Sequence, residues 1–200
     1  AIGQTADLIC ACKKSLGFYQ SLCISGLELL QQILTIIPPH IPVILDAKHC
    51  DLNTSTVFAK TVFEDWQVDA VTLSPYAGFD QVAPFLLYPG KTVFVLCATA
   101  NPSAAIFQEY PTPENPFYLQ LVRISQTWGT PEKVGLEVGV MPDLLARIRK
   151  TAPERLIFVE GDIAEDTDLT EENDIAPLMD DGLSKTGEGF LMPVPHSLVA

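Results

Sequence analysis

Three charged residues follow an apolar, strand-like run in the segment PVILDAKHCDLNTS, residues 42–55. Side chains alternate between the two faces of a strand, so Asp46 and Lys48 are expected on the same face. A carboxylate and an ammonium about 4 Å apart attract by about 4 kcal/mol at an effective dielectric of about 20. Asp51 follows in a loop, where it could act in catalysis or cap a helix. Because buried ion pairs often add little net stability, the cluster favours a functional interpretation over a purely structural one.

The first apolar run, DLICACK (residues 7–13), also ends in a lysine, and Lys14 follows it directly. Either Lys13 or Lys14 could join the acidic and basic groups of the next strand, because neighbouring parallel strands end at the same edge of a sheet. Solvated lysines at a strand end are the simpler alternative. The residues alone leave this choice open.

Seven short apolar runs alternate with segments of helical length. The predicted strands are residues 7–13, 42–48, 70–75, 92–99, 134–139, 156–161 and 189–194. Runs that are apolar on both faces are typical of parallel strands covered by helices, and residues 24–37 and 142–150 have helical spacing of apolar side chains. This alternation predicts a parallel α/β sheet, either a (β/α)8 barrel or an open doubly wound sheet. No Gly-x-Gly-x-x-Gly follows a strand, and its absence disfavours the open doubly wound sheet. Barrel enzymes carry their active sites at the carboxyl ends of the strands.

The composition of the chain limits the kinds of molecule that it is expected to bind. The chain has a net charge of −13, from 12 Lys and Arg against 25 Asp and Glu. Such a surface repels nucleic acid and anionic membranes, so neither is expected as a partner, and no apolar run is long enough to span a bilayer. The five cysteines are scattered and odd in number, which predicts reduced, buried thiols in a cytoplasmic protein. The Cys10-x-Cys12 pair has no second pair or nearby His, which argues against zinc.

Four segments together resemble orotidine 5′-phosphate decarboxylase, specifically its bacterial long-form branch: ADLICACKKSLGFYQSL, PVILDAKHCDLNTS, DAVTLSPYAGFDQVAPFL and VLCATANPSAAIFQ. The Asp-x-Lys-x-x-Asp element is fairly specific, although related barrel enzymes acting on sugar phosphates share it. The resemblance implies a single (β/α)8 TIM barrel domain over residues 1–200 that lacks its first βα unit, and poor activity of the chain alone. The ending GEGFLMPVP resembles fused, UMP synthase-like proteins, which implies an adjoining orotate phosphoribosyltransferase domain.

The resemblance also implies an activity and roles for individual residues. The family is homodimeric and converts orotidine 5′-phosphate to UMP in pyrimidine biosynthesis, with no cofactor and no metal. Lys48 would protonate C6 of the pyrimidine and stabilise the developing carbanion. Asp46 would lie near the departing carboxylate, and Lys13 would orient Asp46 and contact the ribose. Asp51 would complete this charged tetrad by reaching into the partner's site, and Ser55 would supply a hydroxyl where the family usually has Thr.

The expected substrate-binding positions depart from the family pattern. Ala100 stands where a Ser usually hydrogen-bonds the pyrimidine. Glu165 occupies the position of a Gln that binds phosphate, and a carboxylate repels a phosphate dianion. His196 stands where an Arg usually grips the phosphate, and His lacks the bidentate geometry of Arg. Two alternatives therefore stay open: a degenerate, non-catalytic barrel that serves as a structural or dimerisation module of a larger protein, and a related barrel lyase acting on a sugar phosphate.

Overall fold

A computed structural model describes residues 9–161 and 178–193 of the chain. The chain divides into two compact units, one ending at Val93 and the other beginning at Phe94. The expectation of a single domain over residues 1–200 stays a prediction. Within the described ranges, none of the helices has both the length and the apolar character needed to cross a membrane.

The first unit contains three parallel strands that lie side by side in chain order. The strands are β1 (Cys12–Ser15), β2 (Val43–His49) and β3 (Ala70–Leu73). The helices are α1 (Leu16–Ser21), α2 (Cys23–Ile36), α3 (Ser55–Lys60) and α4 (Phe79–Leu86). All four residues of β3 are buried, as expected for a parallel strand that is covered on both faces.

The second unit continues the same alternation of strand and helix. Its strands are β4 (Thr92–Ala98, which begins at the end of the first unit), β5 (Val134–Gly139), β6 (Ile157–Glu160) and β7 (Phe190–Leu191). Its helices are α5 (Ala105–Gln108), α6 (Phe117–Ser125) and α7 (Pro142–Thr151). Strands β5, β6 and β7 pair in parallel and in chain order. All seven predicted strands are therefore found.

Strand β1 begins and ends later than the sequence predicts. The prediction was residues 7–13, of which residues 7 and 8 lie outside the described ranges, whereas pairing starts at Cys12. The amide of Cys12 donates to the carbonyl of Pro42 at 2.8 Å. Because Pro42 has no N–H to return, the ladder cannot extend further towards the N-terminus. The later strand still contains Lys13.

Asp69 aligns the amino ends of the strands in the first unit. Its backbone N–H donates to Val43 O at 3.0 Å, and its carboxylate Oδ2 accepts from Val43 N at 2.9 Å. Its carbonyl accepts from Thr92 N at 3.0 Å, and Lys91 Nζ lies 3.3 Å from Oδ1. These bonds fix the register of β2. A slip of one residue would turn Asp46 to the opposite face of the sheet.

The prediction about the cysteines is partly wrong. All five thiols are free, but only Cys97 is buried; Cys12 is half-buried, and Cys10, Cys23 and Cys50 are exposed. Cys23 begins α2, Cys50 follows the last residue of β2, and Cys10 precedes β1 by two residues, so the exposed thiols lie at or beyond the ends of elements. Burial, and to a smaller extent the charge of Glu137, raises the pKa of the Cys97 thiol far above its ordinary value.

Two buried arginines tie the second unit together through backbone carbonyl groups. Arg149, on α7, donates to the carbonyls of Ala152, Pro153, Arg155, Gly182 and Gly189. Arg155 donates to the carbonyls of Gln126, Gly129, Thr130 and Val134 at 2.7–3.0 Å. The planar guanidinium offers five N–H donors in a fixed geometry, which suits a cage of carbonyl acceptors.

We expect Arg155→Met to lower the free energy of unfolding by about 3 kcal/mol or more, because four carbonyls lose a charged donor and each buried unsatisfied group costs about 1–3 kcal/mol. Urea denaturation measures the change. The matched control is Arg123→Met, at an exposed position, with an expected change of about 0.5 kcal/mol or less. A loss below about 1 kcal/mol for Arg155→Met would show that the carbonyls find other donors.

Candidate active site

A carboxylate and two ammonium groups meet at the carboxyl ends of β1 and β2. Asp46 is only 7% exposed, and its Oδ1 lies 2.6 Å from Lys48 Nζ. Its Oδ2 lies 3.4 Å from Lys13 Nζ, so Lys13 is the lysine of the first strand that joins the cluster. The structure thus brings together three of the four predicted tetrad residues.

Strand β2 is irregular where it carries these residues. Its pairing with β3 is regular at Leu45 and resumes at His49, so three residues of β2 lie opposite Thr72 alone. Lys48 has a φ of 45°, in the left-handed region that non-glycine residues rarely occupy. Bulges of this kind redirect side chains and are frequent beside active sites. Here the bulge presents Lys48 next to Asp46.

The charge of Asp46 is set by competing influences. Burial raises the pKa of its carboxyl group, but the hydrogen bond and charge of Lys48, the charge of Lys13 and the hydroxyl of Thr72 together outweigh that effect. The pKa of Asp46 therefore lies below its ordinary value, and the group is ionised at neutral pH.

Asp51 lies in the loop between β2 and α3, and its side chain is exposed. Its Oδ1 accepts from Asn53 N at 3.0 Å, and its Oδ2 accepts from Thr54 Oγ1 at 2.6 Å. The bond from Thr54 and then that from Asn53 lower the pKa of the Asp51 carboxyl group. Within its own chain Asp51 therefore orders the turn before α3. Its role in a partner's site stays a prediction.

The backbone of the Asp51 loop is held by side chains that pack under it. Ser55 is fully buried and donates its hydroxyl to Asp51 O at 2.7 Å, so within its own chain it supports the loop, and its role in binding substrate stays a prediction. His49 Nε2 lies 3.1 Å from the same carbonyl, and its ring stacks on Phe58 at 4.5 Å between centroids. Burial lowers the pKa of His49, so a neutral ring donates from Nε2. The His49 carbonyl accepts from the buried Gln81 Nε2 at 3.0 Å.

The sequence patterns did not predict a role for Thr72, His49 or Gln81. A threonine in an apolar strand is ordinary, because β-branched residues favour strands, so Thr72 carried no signal. Gln81 was detectable in principle. It is a glutamine within an amphipathic helix, and a fully buried amide needs hydrogen-bond partners.

In the second unit, Ala100 is exposed and follows the end of β4 by two residues. Its backbone lies against Gly139 of β5, where an added Cβ would stand 2.4 Å from Ala100 N. The neighbouring Thr99 N donates to Gln108 Oε1 at 2.9 Å and closes the loop. The side chain of Ala100 offers no hydrogen-bonding group. Glu165 and His196 lie outside the described residues, so the phosphate-binding predictions stay predictions.

Comparisons with known proteins agree on one relationship. No protein-family model matches the chain. A bifunctional enzyme PyrF/PyrE from Nostoc sp. is 56% identical over 200 residues, which is all of this chain and 41% of that protein. An orotidine 5′-phosphate decarboxylase from Herpetosiphon aurantiacus is 37% identical over 174 residues, 85% of this chain and 65% of that protein. The solved structure of Leishmania donovani OMP decarboxylase has a TM-score of 0.88 at 32% identity and covers 98% of this chain and 76% of its own.

These similarities, with the parallel strands and the charged cluster at their carboxyl ends, define a protein of the (β/α)8-barrel class, and the predicted fold class is confirmed. The chain belongs to the orotidine 5′-phosphate decarboxylase family. It spans less than two thirds of the length of the two curated relatives that it matches.

The ionised Asp46 should make stability depend on acid pH. A carboxyl group whose pKa is lower in the folded state stabilises the fold above its unfolded pKa, and this stabilisation is lost as pH falls through the folded pKa. We therefore expect Asp46→Asn to be less stable than the wild type at pH 7, with a difference that shrinks as pH falls below about 4. Urea denaturation between pH 7 and pH 3 measures it. A difference that stays constant with pH would contradict the ionic pairing.

Proposed function

We propose that this chain carries the active site of an orotidine 5′-phosphate decarboxylase, which converts orotidine 5′-phosphate to UMP without a cofactor. The observation that carries the proposal is the Lys48 ammonium, 2.6 Å from the carboxylate of Asp46, with Lys13 on the other side of that carboxylate. The names of the curated relatives support the same reaction.

The reaction assigns one task to each group of the cluster. The bond from C6 of the pyrimidine to its carboxylate breaks, the electron pair stays on C6, and carbon dioxide leaves. Lys48 then transfers a proton from Nζ to C6, and its positive charge stabilises the negative charge that develops there before transfer. Asp46 keeps Lys48 charged and aimed, while Lys13 holds the other carboxylate oxygen.

The two lysines fit an anionic substrate. Orotidine 5′-phosphate carries a phosphate and a carboxylate, and the ammonium groups of Lys13 and Lys48 offer it positive charge in a chain whose net charge is −13. The five free thiols fit a protein of the reducing cytoplasm, which we propose as its location.

We further propose that the protein acts as a homodimer in which Asp51 enters the partner's site. Asp51 and its loop are exposed, and so are apolar side chains on the loop and on elements that follow it. These are Leu52, 50% exposed, Val57, 67% exposed, Tyr76, 87% exposed, and Phe79, 45% exposed. The helices that carry Val57 and Phe79 are in contact, and exposed apolar groups on neighbouring elements mark interaction surfaces. The bifunctional name of the Nostoc relative supports a fused orotate phosphoribosyltransferase domain as a further partner.

We expect Lys48→Ala to lower kcat/KM for orotidine 5′-phosphate by at least about 1,000-fold, because both the proton donor and a charge that stabilises the transition state are lost. Release of carbon dioxide and the change in absorbance as orotidine 5′-phosphate is converted to UMP measure the rate. Lys60→Ala, at an exposed position at the end of α3, is the control and should keep the wild-type rate. A folded, dimeric wild-type protein without decarboxylation would instead support the non-catalytic alternative.

A mixing experiment tests the shared site. Lys48→Ala and Asp51→Asn should each be inactive alone, because every site lacks one group. When the two variants are refolded together, each heterodimer has one site with both groups intact, so about a quarter of the wild-type activity should return. Heterodimers that form without any recovery of activity would show that Asp51 does not act across the interface.

A further inference from the structure

Thr72 lies beside the bulge of β2 and accepts two hydrogen bonds from the backbone there. Because β2 leaves its regular pairing with β3, the amides of Ala47 and Lys48 have no strand carbonyl opposite them. Both donate instead to Thr72 Oγ1, at 3.0 Å and 2.9 Å. Thr72 is fully buried, so water does not compete for these bonds.

The two amide bonds determine where the hydroxyl proton of Thr72 points. A hydroxyl group has one donor hydrogen and two acceptor lone pairs. Both lone pairs are taken by the amides of Ala47 and Lys48, which leaves the hydrogen for the third neighbour. That neighbour is Asp46 Oδ1, at 3.1 Å, the same oxygen that accepts from Lys48 Nζ.

We propose that Thr72 is a positioning residue for decarboxylation: its hydroxyl fixes the left-handed backbone of Lys48 and the carboxylate of Asp46 at the same time. This inference rests on the proposed function for its catalytic consequence. Thr72 lies within the fully buried strand β3 and acts through its neighbours, so it is not itself a catalytic residue.

The physical reason is preorganisation. A left-handed conformation at a lysine costs free energy and persists only when surrounding contacts hold it. The hydrogen bonds from the amides of Ala47 and Lys48 to Thr72 restrain the backbone at Lys48. The hydrogen bond from Thr72 to Asp46 limits rotation of the carboxylate. Without them, Lys48 could relax towards an ordinary strand conformation and move its ammonium away from the reacting carbon.

The test compares Thr72→Val, which keeps the shape but removes the hydroxyl, with Thr72→Ser, which keeps the hydroxyl. Thr72→Val should lower kcat by about 10- to 100-fold with little change in KM, because misplacement by about 1 Å costs rate and Thr72 does not contact substrate. The acid limb of its pH–rate profile should move to higher pH, because Asp46 loses a hydrogen bond that favours its ionised form. Thr72→Ser should restore both the rate and the profile.

Val71→Ala is the matched control for a general loss of packing in β3. Val71 is fully buried on the same strand, so its truncation should lower stability while leaving the pH–rate profile unchanged. If Thr72→Val does not fold, Thr72→Cys takes its place, because a thiol is a weak donor and acceptor and should give a smaller change in the same direction.

Two measurements on resting protein separate this inference from the proposed function. The amides of Ala47 and Lys48 should exchange with solvent faster in Thr72→Val than in the wild type, and the Asp46 carboxyl carbon should titrate at higher pH by NMR. If the wild-type protein shows no decarboxylation, the proposed function is wrong. Amide exchange and the titration of Asp46 still test the positioning role of Thr72 in that case. Unchanged exchange, unchanged titration and unchanged kcat in Thr72→Val or Thr72→Cys would overturn the positioning role.

Discussion

A carboxylate buried at the end of a core strand has to be paired, and the geometry of the first unit follows from pairing Asp46. An unpaired buried charge would cost several kcal/mol or would be neutralised by a proton. Here Lys48, Lys13 and Thr72 supply donors to its two oxygens, so the carboxylate stays ionised although it is 7% exposed. The arrangement holds the Lys48 ammonium in a fixed position against a buried carboxylate.

The position of the Asp46 carboxylate depends on residues at both ends of the strands. At the amino ends, Asp69 fixes the register of β2 through its backbone and its carboxylate. At the carboxyl ends, the bulge between Leu45 and His49 changes the direction of the chain before the Asp51 loop begins. The loop is then held from below by Ser55 and His49. Asp69 thus determines which face of the sheet carries Asp46. The bulge, Ser55 and His49 determine the course of the Asp51 loop.

The sequence predicted all seven strands because each is a short apolar run, and strand alternation predicted that Asp46 and Lys48 would meet. It could not predict where β1 begins, which depends on the missing N–H of Pro42 in another segment. It could not predict the bulge, since period-two reasoning assumes a regular strand. The inward direction of the Ser55 hydroxyl was equally hidden, because it depends on how the Asp51 loop folds rather than on residue type.

The hydrogen bonds that Arg149 and Arg155 donate to carbonyl groups in the second unit differ from the ion pairs of the Asp46 cluster in how they respond to pH. Neither half of such a link titrates between strong acid and mild alkali, because a peptide carbonyl has no proton to gain there and a guanidinium does not give its proton up. The chain thus combines an ion-pair cluster around Asp46 that changes with proton concentration and arginine–carbonyl contacts that do not. Acidification would act on the Asp46 cluster before it acted on the arginine cages.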